Sequence, residues 1–320
     1  MKSTIRVGSR GSALALHQTR KIIAELQPHF PDAFFEIVEI VSIGDQFPDT
    51  PISEMGDVVE KGIFNTALEE AVLSGKVDFA TCSFKDVESE LPGGVSAVPV
   101  LEREDHRDVL VSRHGVGLDR LPQGALLATS SPRRVSQLRA FRQDFRFQPL
   151  RGNITSRVTR DVEKFDGVVL AAAGVRRLEL HDKVTDWIGE DVLLPAPAQG
   201  ALGCEYQTGR EDIQHMISLL VHPPTLQCVE AEKAFLVRMS GGCYAPIGAL
   251  AALENGRLRL RCRVVSLDGR TRVEEEAQGE DWPTVVEQLA QKAIQKGADV
   301  IVRETRQTIV ESKPRAPAKK

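Results

Sequence analysis

Aromatic side chains are scarce: they make up 5% of the 320 residues, with two tryptophans and two tyrosines. An RNA-binding module needs stacking rings and a basic field, so this composition counts against one. A basic excess is also missing. Lys and Arg number 41 against 45 Asp and Glu, a net charge of −4, whereas general nucleic-acid binders use a cationic surplus to displace counterions. Any cationic function must therefore be local. No stretch reaches the roughly 18 apolar residues of a membrane span. Met1 to Gly11 is polar and basic without the apolar segment of a secretory signal, which leads us to expect a cytoplasmic protein. Cys82, Cys204, Cys228, Cys243 and Cys262 are odd in number, widely spaced and lack a CxxC pair. Neither a disulfide framework nor a metal site is indicated, and free thiols in a reducing compartment are expected. GxGxxG and GxxxxGK[ST] are absent, which removes the usual dinucleotide and Walker phosphate cradles.

What is present is a globular composition, 42% hydrophobic and 27% charged, on a length that suits two or three domains. From Ile5 to about Leu101, apolar runs (Ile5 to Gly8, Phe35 to Val41, Val77 to Ser83) alternate with helical patterns (Ser12 to Leu26, Phe64 to Leu73), which is βαβ grammar. A second block repeats it from about Asp108, with strands at Ala125 to Ala128, Phe147 to Leu150 and Val168 to Ala171. A helix is expected at Pro132 to Phe141 and a turn at Gly174. From about Pro223 a helix (Thr225 to Met239) precedes strands parted by Asn255-Gly256 and Asp268-Gly269, dipeptides that favour hairpin turns. A final helix, Trp282 to Lys296, is expected to end at Gly297. Lys313 to Lys320 forms a Pro/Ala/Lys tail with little to dock it, and disorder is expected there.

Basic residues sit where the strands end. Thr129, Ser130, Ser131, Pro132, Arg133 and Arg134 read as a strand, a hydroxyl-rich loop and a helix opened by proline. Backbone N–H groups, hydroxyls and two guanidiniums then converge on one anion site. Arg10, Gly11, Ser12 repeat the arrangement, and Arg151, Gly152, Asn153 with Arg157 form a related one. Cations spread over separate loops fit a ligand with several spaced carboxylates better than one compact phosphate chain. Phe84, Lys85, Asp86 follow the strand ending at Ser83 and place an acid among these cations, where it can stabilise a cationic intermediate or shuttle a proton. Cys243, between Gly241-Gly242 and Pro246, is well presented for covalent work, although an isolated cysteine is more often a small buried hydrophobe.

Taken in order, these pieces resemble the porphobilinogen deaminase (hydroxymethylbilane synthase) family, from about Ile5 to about Val302. The resemblance rests on Arg10 to Leu16 with Gln18, Lys61 to Phe64, Ser83 to Val87, Glu102 to Asp108 and Thr129 to Arg134. It continues through Leu150 to Asn153 with Arg157, Gln199-Gly200-Ala201, and Gly241 to Cys243 with Pro246 to Gly248. Departures occur where Cys82 to Glu88 replace the usual HSMKDVP, Val59 to Gly62 the usual GGKG, and Ser42 to Asp45 the usual TRGD or TKGD. Tyr244 and Ala245 replace the more familiar pair before the proline.

The resemblance implies an α/β fold: two periplasmic-binding-protein-like α/β domains around a cleft, plus a C-terminal α+β domain. Domain 1 would span 1–101 and 198–217, domain 2 105–194 and domain 3 222–307. It implies head-to-tail condensation of four porphobilinogen molecules to hydroxymethylbilane, with release of ammonia. The growing chain would extend a dipyrromethane cofactor held by Cys243 through a thioether. Asp86 would be the catalytic acid. Lys85, Thr129, Ser131, Arg133, Arg134, Arg151 and Gly152 would hold the cofactor, and Arg10, Ser12, Gln18, Phe64, Arg157 and Gln199 the substrate. A cytoplasmic monomer is implied, with no metal, nucleic acid or membrane partner. The alternative is a noncatalytic cytoplasmic carboxylate-binding protein using the same cleft.

Overall fold

The computed structural model describes residues 4–42, 65–88, 90–150, 152–241 and 245–311. The chain begins with β1 (Thr4–Arg10), α1 (Ala13–Leu26), β2 (Phe34–Ile40), α2 (Thr66–Leu73), β3 (Phe79–Ser83) and β4 (Val95–Val100). It continues through β5 (Asp108–Val111), β6 (Leu126–Ala128), α3 (Pro132–Phe141), β7 (Arg146–Gln148), α4 (Ile154–Thr159), β8 (Gly167–Ala171), α5 (Ala172–Arg177) and β9 (Asp186–Ile188). β10 (Leu202–Gln207), α6 (Glu211–Ser218) and α7 (Pro223–Arg238) lead to β11 (Ile247–Glu254), β12 (Arg257–Val265), β13 (Arg272–Gly279), α8 (Trp282–Gln295) and α9 (Ala298–Glu311).

Among the described residues two sheets of five strands and one of three result, in the orders β2-β1-β3-β10-β4, β7-β6-β8-β5-β9 and β11-β12-β13. In each larger sheet a parallel trio is followed by a strand antiparallel to both of its neighbours. That strand comes from across a crossing. Residues 101–107 carry the chain from β4 into β5, and residues 189–201 carry it back from β9 into β10. The central strands bear apolar side chains on both faces, as strands covered by helices on both sides require: Val7 and Phe79 in the first sheet and Val168 to Leu170 in the second are at most 2% exposed. On α1, Gln18, Ile22 and Leu26 recur at four-residue spacing and are buried against the first sheet.

The third region is an antiparallel meander. Asn255 (φ 52°) and Gly256 (φ 77°) form the two-residue link between β11 and β12 that the dipeptide predicts. Two expectations differ from the structure. Gly174 lies inside α5 rather than in a turn, because a Cβ there would run into Ile154 of α4; the glycine serves a close approach of two helices. Gly297 (φ 85°) does end α8, but it is a joint rather than a terminus. Ala298, Ile301 and Val302 of the following helix are buried in the same core as Leu289 and Ala293. The tail from Lys313 to Lys320 lies outside the described residues.

Candidate active site

The strand ends named above line one cavity of about 740 Å³ between the two larger sheets. From the first sheet come Arg10 at the end of β1, Ser12 and Gln18 of the following helix, and Lys85 and Asp86 after β3. From the second come Arg134 of α3, Gly152 ahead of α4, and Arg157 within it. Thr129, Ser131, Arg133 and Gln199 do not reach the cavity wall. Phe64, Arg151 and Cys243 lie outside the described residues.

Local hydrogen bonds explain the placement. Ser12 caps α1, its hydroxyl accepting from the Ala15 amide at 3.2 Å. Gln18 Nε2 donates to Ser83 Oγ at 3.2 Å, tying α1 to the end of β3. The chain then tightens into a single 3-10 turn, Phe84–Asp86. Desolvation pulls the Lys85 ammonium below the ordinary lysine range; the nearby Arg134 and Arg133 charges add to this, while Asp86 and Asp108 oppose it. The ordinary Asn153 side chain caps α4, its Oδ1 accepting from Ser156 N at 2.8 Å.

The paired arginines of α3 divide their roles. Arg133, 3% exposed, donates to Asp108 Oδ2 and to the Leu194 carbonyl, both at 2.8 Å. Arg134 donates to Asp108 Oδ1 from Nε at 2.9 Å and from Nη2 at 2.6 Å, and to Val169 O from Nη1 at 3.0 Å. Two of its five N–H groups stay unused by these bonds on a side chain that lines the cavity. Arg133 is thus a strut and Arg134 a cleft cation with its direction fixed. Gln199 is part of the same strut: its Nε2 donates to His106 O at 2.8 Å and to Asp108 Oδ1 at 3.2 Å. Burial would raise the Asp108 carboxyl, but the two guanidiniums outweigh that and hold it at about 2. The anchoring role of Asp108 was not readable in the sequence; its place in the EREDHRD run was the available signal.

Two further cations escaped the sequence reading. Arg177 and Arg160 line the cavity. Arg177 Nη2 donates to Gly200 O at 2.6 Å, and burial lowers this guanidinium to about 10 against the opposing charge of Glu104. Its Nε is buried without a hydrogen-bond partner among the described residues. The signal was the same strand-to-helix grammar, since α5 follows β8 directly.

Behind Asp86 lies a buried acid, Glu205. Cys82 lines the cavity and is hydrogen-bonded to Glu205, whose Oε1 also accepts from Asn65 Nδ2 at 3.0 Å. Burial, with Glu69 adding, pushes Glu205 up to about 8. Burial and the acids around it, Glu205 foremost, push the Cys82 thiol well above its usual range, so it stays protonated and is a poor nucleophile. Cys204, Cys228 and Cys262 are buried free thiols. Among the described residues no cluster of His, Cys, Asp or Glu could hold a metal, and no helix is long and apolar enough to cross a membrane.

The family model described as the porphobilinogen deaminase, dipyrromethane cofactor binding domain matches residues 5–215. That of the porphobilinogen deaminase C-terminal domain matches residues 226–299. A porphobilinogen deaminase of Syntrophomonas wolfei is 38% identical over 94% of this chain and 99% of its own. One from Chlorobium phaeobacteroides is 40% identical over 96% and 100%. Among solved structures, an alkanesulfonate-binding protein from Xanthomonas axonopodis pv. citri aligns over 73% of this chain and 74% of its own, at 13% identity and a TM-score of 0.38. Two family models in tandem and full-length relatives at this identity lead to one conclusion: the chain belongs to the porphobilinogen deaminase family.

Proposed function

We propose that the protein is a porphobilinogen deaminase of tetrapyrrole biosynthesis, a transferase that joins four porphobilinogen molecules head to tail and releases hydroxymethylbilane and four ammonia. The observation that supports this best is the acid Asp86, in the turn after β3, in a cleft that also presents Arg10, Lys85, Arg134, Arg157 and Arg177. In each condensation the aminomethyl C–N bond breaks, ammonia leaves, a C–C bond forms to the α-carbon of the terminal pyrrole, and that carbon loses its proton. One water enters at release. Positive charge develops on the rings, and a fixed carboxylate beside them stabilises it and can carry the proton.

The cations suit the acetate and propionate groups of both substrate and dipyrromethane. Arg134 lines the cleft with two N–H groups that its bonds to Asp108 and Val169 leave unused, and the buried Nε of Arg177 has no protein partner among the described residues. The dipyrromethane, when bound, supplies the free pyrrole position from which the product grows. Cys243 is the proposed thioether tether, and Phe64 and Arg151 complete the proposed substrate and cofactor contacts. In this reading Thr129, Ser131, Arg133 and Gln199 keep the cleft cations in place. We read 1–101 with 198–217, 105–194 and 222–307 as the three domains of a cytoplasmic monomer.

Expression in a porphobilinogen-producing cell followed by intact mass and peptide mapping tests the assignment. The expected result is a dipyrromethane adduct on Cys243; folded, precursor-supplied protein with an unmodified thiol would favour the carboxylate-binding alternative. Asp86→Asn is expected to keep the adduct and lose turnover by about two orders of magnitude or more, in the range of removed acid–base catalysis, and near-normal turnover would refute its role.

A further inference from the structure

The turn carrying Lys85 and Asp86 is three residues long, too short for a hydrogen-bond ladder of its own to fix where the carboxylate points. Its direction is set from both ends. At its start the Phe84 amide donates to Ala201 O at 3.0 Å, and the Phe84 ring lies against Gly203, where any side chain would collide with it. At its end the Val87 amide donates back to Phe84 O at 3.2 Å, while the Val87 carbonyl accepts from Nζ of Lys233. The same ammonium stands 6.0 Å from the centroid of the Phe84 ring. One cation therefore bonds the residue after Asp86 and stands over the ring of the residue before Lys85.

Lys233 does not belong to the sheet that carries the turn. It comes from α7, in the region that leads to Cys243. That helix is itself fixed: Glu232, the preceding residue, is fully buried and binds the Arg103 guanidinium at 2.6 Å, the Ala198 amide at 2.6 Å and the Ala251 amide at 2.8 Å. These partners lie on the first crossing, the second crossing and β11, so the base from which Lys233 reaches is held at three points.

We propose that Lys233 is a positioning residue for Asp86: by holding the Val87 carbonyl and the Phe84 ring together, it fixes the direction of the Asp86 carboxylate in the cleft. This rests on the reading of Asp86 as the acid of the condensation. A lysine that only secured α7 would change stability and leave turnover per folded molecule alone. A lysine that aims Asp86 changes kcat, because a misplaced catalytic group loses rate while substrate still binds.

The test uses holoenzyme whose adduct has been verified by mass. Lys233→Met is expected to lower kcat about tenfold or more with KM for porphobilinogen within about twofold, and Lys233→Arg to stay within about threefold of the parent. In an Asp86→Asn background, Lys233→Met is expected to add no further loss, since the group it aims is already gone. Turnover of Lys233→Met equal to the parent, no recovery in Lys233→Arg, or an equal fractional loss in both backgrounds would each overturn the proposal. If Lys233→Met yields no folded holoenzyme, Lys233→Gln, which keeps a donor for the Val87 carbonyl but removes the cation from the Phe84 ring, is expected to lower kcat by about threefold to tenfold with KM within about twofold, and turnover equal to the parent would overturn the proposal. Asp86→Asn assayed alone separates the two ideas. Full turnover there overturns the reading of Asp86, whereas a slow Asp86→Asn beside a fully active Lys233→Met overturns only the positioning role.

Discussion

Glu205 shows what enclosure does to a single carboxyl group. It has no exposed surface, its two bonding neighbours Asn65 and Cys82 are neutral, and its Oε2 has no partner among the described residues. Burial, with Glu69 adding, raises it from 4.5 to about 8. The folded state therefore keeps a proton that the unfolded state releases, and stability falls as pH rises from about 4.5 to about 8. The loss is on the order of a few kcal/mol. Glu205→Gln, which keeps an oxygen for Asn65, is expected to match the parent near pH 4.5 and to exceed its melting temperature increasingly toward pH 8. A constant offset across that range would show that Glu205 does not hold the proton. Asp108 is the opposite case, a buried acid kept ionised by Arg133 and Arg134. The sequence showed both arginines as cations at a helix start, but not that one of them would be turned inward. That depends on Asp108, 25 residues away from Arg133 and on a different element.

At the scale of elements, most of what positions the cleft was legible because it is local. Strand end, cap and helix follow one another without interruption from Arg10 to Leu26, and the cap is visible as Ser12. Its hydroxyl accepts from Ala15 N, so Ser12→Ala is expected to cost about 1 kcal/mol of stability, as lost N-caps do. Urea unfolding measured beside KM would separate this from a substrate contact: an unchanged midpoint would remove the cap from the account. What escaped the reading are elements whose residues answer to distant partners. Gly174 resembles a turn until Ile154 is brought against it. β10 contains Gly203 and Glu205 within a buried strand, a pattern that no alternation rule marks as a sheet interior. Its glycine is there for the Phe84 ring and its acid for Asn65 and Cys82.

On the scale of the whole molecule, the two crossings are where the larger sheets and the third region meet. Arg103 on the first donates to Gln199 O on the second at 2.7 Å, and Glu232 receives both Arg103 and the Ala198 amide. The segments pack closely at Gly200, which has φ 94° and whose added Cβ would lie against the Glu104 carbonyl. Gly200→Ala combines a backbone conformation that L residues rarely adopt with that collision, and is expected to destabilise by about 2 kcal/mol or more. An unchanged urea midpoint would mean that the crossings can part without cost. The interleaving also imposes an order on biosynthesis. All described strands of the second sheet lie between Asp108 and Ile188, so these strands can pair once their own stretch has left the ribosome. Those of the first sheet cannot all do so: β4 ends at Val100 and its one neighbour among the described strands, β10, begins at Leu202. β4 must therefore wait with an open edge while about a hundred further residues are translated, the interval in which a nascent chain is most exposed to mispairing and in which a chaperone would have its use.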